Sequence, residues 1–152
     1  MTRRPTPARR PAHTRRRHRP PRRLWRELIV TVPADAPELL SPLRHVATAN
    51  LLAWGVTRER VEDVVLCLSE LVTNALRHTV GPAHMYLAVR SGFVHLEVID
   101  LGGPDPAQPG DTPTGSDEHG RGLYIVRALA LSVEVRCVDR RSKSVVARFP
   151  LA

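Results

Sequence analysis

Cysteine and long apolar runs are scarce in this chain of 152 residues. Its two cysteines, Cys67 and Cys137, lie far apart and have no Cys or His at metal-ligand spacing. This argues against a disulfide framework or a zinc motif and predicts reduced, structural thiols. No apolar run is long enough to span a membrane, and the early arginine pairs are not followed by the apolar segment of a secretory signal. We therefore expect a cytoplasmic protein, with one domain at this length.

Acidic residues are missing from the start of the chain, where positive charge is concentrated. Residues 1–26 hold 11 arginines and no Asp or Glu, which leaves 12 basic against 15 acidic residues in the rest. Lysine occurs once in the whole chain, as Lys143. Because like charges repel and few apolar residues are present, residues 1–23 are predicted to form a disordered Arg/Pro-rich tail. The folded domain is then expected over residues 24–152.

The tail has two interpretations. Clustered arginines can bind phosphate backbones by releasing counterions, which would make the tail a nucleic-acid tether. However, residues 1–23 contain no aromatic or glycine among the arginines to support stacking on bases. We therefore favour a solvated extension, or residues upstream of the true start codon. Loss of salt-sensitive nucleic-acid binding on deletion of residues 1–23 would instead support the tether.

Apolar periodicity and turn residues predict strands alternating with helices. A first strand, closed by Pro33, is followed by a helix that starts either near Pro37 or after a Ser41 cap and ends at Trp54-Gly55. Thr57 caps a long second helix, and Ser91-Gly92 is typical of a hairpin turn. The predicted strands are 24–32, 83–90, 93–100, 132–138 and 144–151, and the last two helices are 57–79 and 119–130.

The order of these elements predicts an α+β fold. We expect a two-layer α/β sandwich in which helices cover one face of a mixed, mostly antiparallel sheet. Residues 101–118 form a long polar loop, rich in proline and glycine. A loop of this length inside a small domain is usually functional, which predicts a lid.

Three polar side chains share one face of the second helix. Glu70, Asn74 and His78 are spaced i, i+4 and i+8, so they stack along the helix beside an apolar stripe. Placing them near a core is costly without a ligand. The carbonyl oxygen of Asn74 suits a Mg²⁺ shell completed by water and phosphate. Glu70 suits the orientation or deprotonation of a hydroxyl that attacks a phosphoryl group.

Two later segments complete a candidate nucleotide site. Asp100 ends a strand, where it can accept a hydrogen bond from an exocyclic amine such as that of adenine. Gly102 and Gly103 permit close approach of a base, and the N–H groups of a helix that begins at Gly120-Arg-Gly122 suit phosphates. Each piece alone is more often a solvated helix face, a turn or a helix start. The ordered set on these elements favours a nucleotide site.

These motifs resemble those of the GHKL, or Bergerat-fold, ATPases. Glu70-Leu-Val-Thr-Asn-Ala-Leu-Arg-His78 is similar to the N box, and Val98-Ile-Asp-Leu-Gly102 and His119-Gly-Arg-Gly-Leu123 are similar to the two glycine boxes. The resemblance covers residues 24–152, and within the family the chain looks most like the anti-sigma-factor serine/threonine kinases of the RsbW and SpoIIAB type. It implies the Bergerat ATP-binding fold, with ATP and Mg²⁺ as cofactors.

The resemblance also assigns roles to individual residues. Glu70 would be the catalytic residue that assists phosphoryl transfer, Asn74 would bind Mg²⁺, and Asp100 would recognise adenine. Ser144 stands where a nucleotide-contacting Thr is common. The implied ATP-binding set is Asn74, His78, Asp100, Gly102, Gly103, His119, Gly120, Arg121, Gly122, Leu123 and Ser144.

By the same resemblance, the protein would phosphorylate a serine or threonine of an antagonist protein and sequester a sigma factor. A homodimer would fit the family, although no feature of the sequence itself indicates one. The chain departs from the family pattern at Pro104-Asp105, at Leu131-Ser132 and at Ser142, where glycine or Trp-Gly is usual. A catalytically weak or inactive ATP-binding module that acts by sequestration is therefore the alternative. A sensor histidine kinase is disfavoured because no phosphoacceptor helix pair precedes the domain.

Overall fold

A computed structural model describes residues 26–101, 121–139 and 142–152. The predicted tail and nearly all of the predicted lid lie outside these ranges, so both stay predictions. Five strands and three α-helices are described, in the order β1 (Glu27–Val32), α1 (Leu40–Ala53), α2 (Arg58–His78), β2 (Ala83–Arg90), β3 (Phe93–Leu101), α3 (Arg121–Leu129), β4 (Ser132–Cys137) and β5 (Ser142–Pro150).

The predicted α+β class is confirmed. The strands form one sheet in the order β1-β2-β3-β5-β4, and each of the described pairings is antiparallel. Helix α2 packs across the middle of this sheet against β2, β3 and β5, with α1 on one side of it and α3 on the other. Helix α2 therefore carries its polar residues into the space between the sheet and α3.

The core lies on the helix side of the sheet. Alternate residues of β3, from Val94 to Asp100, are buried, while those between them are partly exposed. The buried stripe of α2 faces this layer, and it comprises Val61, Val64, Cys67, Leu68, Leu71, Val72 and Ala75. Within the described ranges, no helix combines the length and apolarity needed to cross a lipid bilayer.

Two of the predicted helix boundaries are set by turns. A 3₁₀ turn at Pro37–Leu39 leads directly into α1, so the start near Pro37 is correct and the Ser41 cap is wrong. Gly55 ends this helix with φ of +86°, the left-handed conformation that glycine adopts without strain. Thr57 precedes α2 in an extended conformation, but its side chain makes no capping hydrogen bond.

Strand β5 begins two residues earlier than predicted. The carbonyl of Ser142 accepts hydrogen bonds from the backbone N–H groups of Val138 and Asp139, and Ser142 pairs with Leu101 of β3. These bonds extend the ladder beyond the predicted start at residue 144. The register with β3, in which Lys143 lies opposite Asp100, sets which β5 side chains face the helices.

Candidate nucleotide-binding site

The predicted polar row of α2 lies where this helix meets α3 and the sheet. Glu70 and Asn74 are half-buried, whereas His78, in the last turn, is exposed. Asn74 and His78 line a cavity, together with the buried Leu71 and Ala75 of the same helix. The i, i+4, i+8 spacing therefore brings two of the three polar side chains, Asn74 and His78, to the cavity, while Glu70 lies one turn before Asn74.

Gly122 brings α3 against this polar row. A Cβ atom added to Gly122 would lie 2.7 Å from Asn74 Nδ2 and 2.9 Å from Glu70 Oε2, closer than real Cβ contacts. Because Gly122 has no Cβ, the ends of the two side chains can lie against the first turn of α3. The carboxylate, the carboxamide and the beginning of α3 are therefore grouped in one place.

A cavity of about 150 Å³ extends from this point to the sheet. Its walls come from α2, α3 and the neighbouring strands β3 and β5. Most of the lining is apolar, and polar groups are contributed at separate positions, as in many small-molecule sites. The lining residues are Leu71, Asn74, Ala75, His78, Val98, Asp100, Leu123, Lys143 and Val145.

Asp100 supplies a buried carboxylate to the cavity. It is the last buried residue of β3, with 4% of its surface exposed. Its Oδ1 accepts a hydrogen bond of 3.0 Å from the backbone N–H of Lys143, its cross-strand partner on β5. Its Oδ2 lies 3.6 Å from Lys143 Nζ. A buried carboxylate needs such partners, and these leave acceptor positions for a ligand.

Ser144 does not take part in this cavity. It pairs with Ile99 on the open face of the sheet, where its hydroxyl donates a 2.5 Å hydrogen bond to Glu97 Oε1. Because the strand alternates, Ser144 faces away from the cavity that its neighbours line, and the nucleotide contact expected for it stays a prediction. Those neighbours are Lys143 and Val145.

Lys143 is the polar residue of the cavity lining that the sequence did not predict. The predicted strand started one residue after it, which placed it in a turn. Lys143 is the one lysine in an arginine-rich chain, which the sequence does show. Its position beside Asp100, however, follows only from the pairing of β5 with β3. Strand register, rather than residue type, carried this information.

Both glycine segments are described only in part. Gly102, Gly103, His119 and Gly120 lie outside the described residues, so their predicted roles stay predictions. Arg121 begins α3, but its side chain is likewise outside the description. Leu123 lines the cavity from α3.

Cys67 is buried in the core beneath this site and does not line the cavity. Burial, together with the nearby carboxylates of Asp63 and Glu70, raises the pKa of the Cys67 thiol to about 12. The thiol therefore stays protonated and unreactive at neutral pH. Cys137, by contrast, is exposed, and neither cysteine forms a disulfide.

The donor set suits a cation held jointly with phosphate. In the described part of the chain, no three His, Cys, Asp or Glu side chains converge on a metal position. Mg²⁺ commonly takes few protein ligands and completes its shell with water and substrate phosphates. The Asn74 carboxamide beside the start of α3 fits that arrangement, and Glu70 lies next to it.

The comparison with known families agrees with this arrangement. A family model described as a histidine kinase-like ATPase domain matches residues 33–149, a range that contains every lining residue of the cavity. A search of curated proteins found no match.

Proposed function

Since the chain belongs to the histidine kinase-like ATPase domain family, we propose that it binds ATP with Mg²⁺ and transfers the γ-phosphate to a serine or threonine of an antagonist protein. The observation that carries this proposal is the position of the Glu70 and Asn74 side chains, whose ends occupy the space that a Cβ atom at Gly122 would need. It places a proton acceptor, a Mg²⁺ ligand and the N–H groups of a helix start next to one another, and of the two side chains Asn74 lines the cavity. Asp100 lies in the same cavity.

Each end of the cavity has its own task. Asp100 accepts a hydrogen bond from the exocyclic amine of adenine, and the apolar lining packs against the ring. The N–H groups and positive dipole end of α3 would stabilise the phosphates, and the Asn74 carboxamide would be the protein ligand of Mg²⁺. ATP would thus lie between α2, α3 and the sheet.

Transfer requires a hydroxyl to reach the γ-phosphate beside Glu70. The carboxylate accepts the hydroxyl proton as the hydroxyl oxygen forms a bond to the γ-phosphorus. The bond between that phosphorus and the bridging oxygen of the β-phosphate breaks, and ADP leaves with its electron pair. Mg²⁺ offsets the negative charge on the phosphates.

The proposed partners are the antagonist protein and a sigma factor that the protein sequesters until the antagonist binds. Support for these partners, and for a homodimer, comes from the resemblance to anti-sigma-factor kinases. Glu70 supports transfer, because a module that acts only by sequestration has no need of a carboxylate at this place.

Calorimetric titration of the full chain with ATP and Mg²⁺ tests the binding step. We expect Mg²⁺-dependent binding that weakens at least about tenfold in Asn74→Ala. Asn50→Ala is the matched control, because Asn50 is on α1 and does not line the cavity. Both variants keep the arginine-rich tail, so any binding of ATP to the tail contributes equally to the affinities that are compared. No binding by the unmodified chain at millimolar ATP would overturn the proposal.

Glu70→Gln tests the transfer step separately. The amide keeps the shape of the side chain but cannot accept a hydroxyl proton, so transfer to a candidate antagonist should fall about 10²–10⁴-fold while ATP binding persists. Radiolabelled ATP measures both quantities. Equal transfer by Glu70→Gln and the unmodified chain would remove Glu70 from the mechanism, and binding without transfer in either would favour the sequestering module.

A further inference from the structure

The chain's single lysine lies inside the candidate nucleotide site. Lys143 lines the cavity, and 44% of its side chain is exposed, whereas the side chain of Asp100 beside it is almost fully buried. The family match and the motifs assign no role to this position. An ammonium group at this place adds a hydrogen-bond donor next to an acceptor.

The contact between the two side chains is loose. The Nζ–Oδ2 separation of 3.6 Å is longer than an N–H···O hydrogen bond, whereas the backbone N–H of Lys143 makes a good bond to Oδ1. The backbone bond therefore holds the carboxylate, and the ammonium is placed by charge attraction alone. The ammonium N–H groups can therefore donate to a ligand while Asp100 keeps its hydrogen bond from the backbone N–H of Lys143.

The surroundings of this pair favour a flat heterocycle. Val98 and Val145 flank it on the floor of the cavity, and Leu71 and Ala75 line the opposite wall on α2. Adenine presents a 6-amino donor next to the ring nitrogen N1, which is an acceptor. An acceptor and a donor side by side, as in Asp100 and Lys143, complement that edge.

We propose that Lys143 is a specificity-determining residue that donates a hydrogen bond to N1 of adenine while Asp100 accepts one from the 6-amino group. This rests on the proposed function, because it requires ATP in this cavity. A phosphate contact for Lys143 is disfavoured, since the adjacent Asp100 carboxylate would repel phosphate oxygens.

The test is a comparison of ATP with 1-deaza-ATP, in which a C–H group replaces N1. The full chain should bind 1-deaza-ATP about tenfold more weakly by calorimetry, because a hydrogen bond from a charged donor is lost. Lys143→Met should bind both nucleotides alike, at about the weaker affinity. Arg148→Met, which removes a cation from the open face of the same strand, should keep the full preference for ATP.

Each contrary result has a distinct meaning. No ATP binding by the unmodified chain overturns both this proposal and the proposed function. ATP binding with equal affinity for 1-deaza-ATP overturns only the N1 contact, and it does so without any variant. A preference for ATP that persists in Lys143→Met, or tighter binding of GTP than of ATP, also overturns the assignment. Thermal melting checks that Lys143→Met, which keeps its backbone N–H to Asp100, remains folded.

Discussion

Gly122 decides the geometry of the site at the scale of single residues. Its missing Cβ leaves the space in which Glu70 and Asn74 approach the first turn of α3. Glycine usually costs helix stability, by about 1 kcal/mol relative to alanine. Gly122 therefore makes room for the two site side chains and lowers the stability of α3.

Gly122→Ala should separate binding from stability. The added methyl would meet the ends of two side chains, which can move aside, and alanine raises helix propensity. We expect unchanged or slightly higher stability towards urea, together with at least a tenfold loss of ATP affinity by calorimetry.

Gly81→Ala is the matched control for this substitution. A Cβ atom at position 81 would lie 2.0 Å from the backbone oxygen of Leu101. A backbone atom cannot move aside by changing a side-chain rotamer. A loss of about 1–3 kcal/mol of stability is expected here. If Gly122→Ala bound ATP with full affinity, Gly122 would not be shaping the site.

The sequence could predict which side chains share a helix face but not which share a strand face. Asn74 and His78 could be expected at one cavity because helical spacing is fixed within one element. Ser144 and Lys143 could not be told apart, because facing the cavity depends on a pairing between β3 and β5 that local sequence does not encode. A shift of one residue along a strand exchanges its two faces.

At the scale of elements, the β2–β3 hairpin holds Asp100 in place. Ser91 and Gly92 have φ of +53° and +79°, the two positive values that a type I′ turn requires, and Arg90 pairs with Phe93 across the turn. The turn fixes the register of the hairpin, and the register places Asp100 at the buried end of β3.

Ser91→Asn should therefore stabilise the protein. Asparagine adopts positive φ more readily than serine, and about 0.5 kcal/mol is expected from this difference. Urea unfolding measures it as a higher midpoint. Ser91→Val is the opposing control, because a β-branched residue is strained at positive φ and should lower the midpoint. Similar midpoints for the two variants would contradict the turn assignment.

The boundaries of helices and strands could be predicted where a turn residue sets them. Gly55 ended α1 as predicted, because a left-handed residue leaves little choice. The start of β5 was not predictable in the same way. It depends on hydrogen bonds from the backbone N–H groups of Val138 and Asp139 to the Ser142 carbonyl, and on the pairing of Ser142 with Leu101.

At the scale of the whole molecule, the sheet is asymmetric. Its helix face carries the core and one wall of the cavity, whereas no described helix packs on the other face. Leu96 is fully buried on the first face, and Ile29 is 67% exposed. Apolar character alone would not have distinguished the two residues.

Leu96→Ala and Ile29→Ala should therefore differ sharply. Removing a buried leucine side chain costs about 2–5 kcal/mol, whereas an exposed site usually changes stability by less than about 0.5 kcal/mol. Chemical unfolding of the two variants under the same conditions measures the difference. A large loss for Ile29→Ala would show that this face is covered in solution, as a homodimer through the sheet would require.

The position of the one lysine allows the cavity to be labelled selectively with an amine-reactive reagent. An arginine guanidinium does not react with acylating reagents under conditions in which a lysine amine does. Apart from the chain's α-amine, the one primary amine available to such reagents belongs to Lys143, which lines the cavity. Acylation of this amine, followed by intact-mass spectrometry, would report directly on whether the cavity is occupied, with no other lysine to confuse the count.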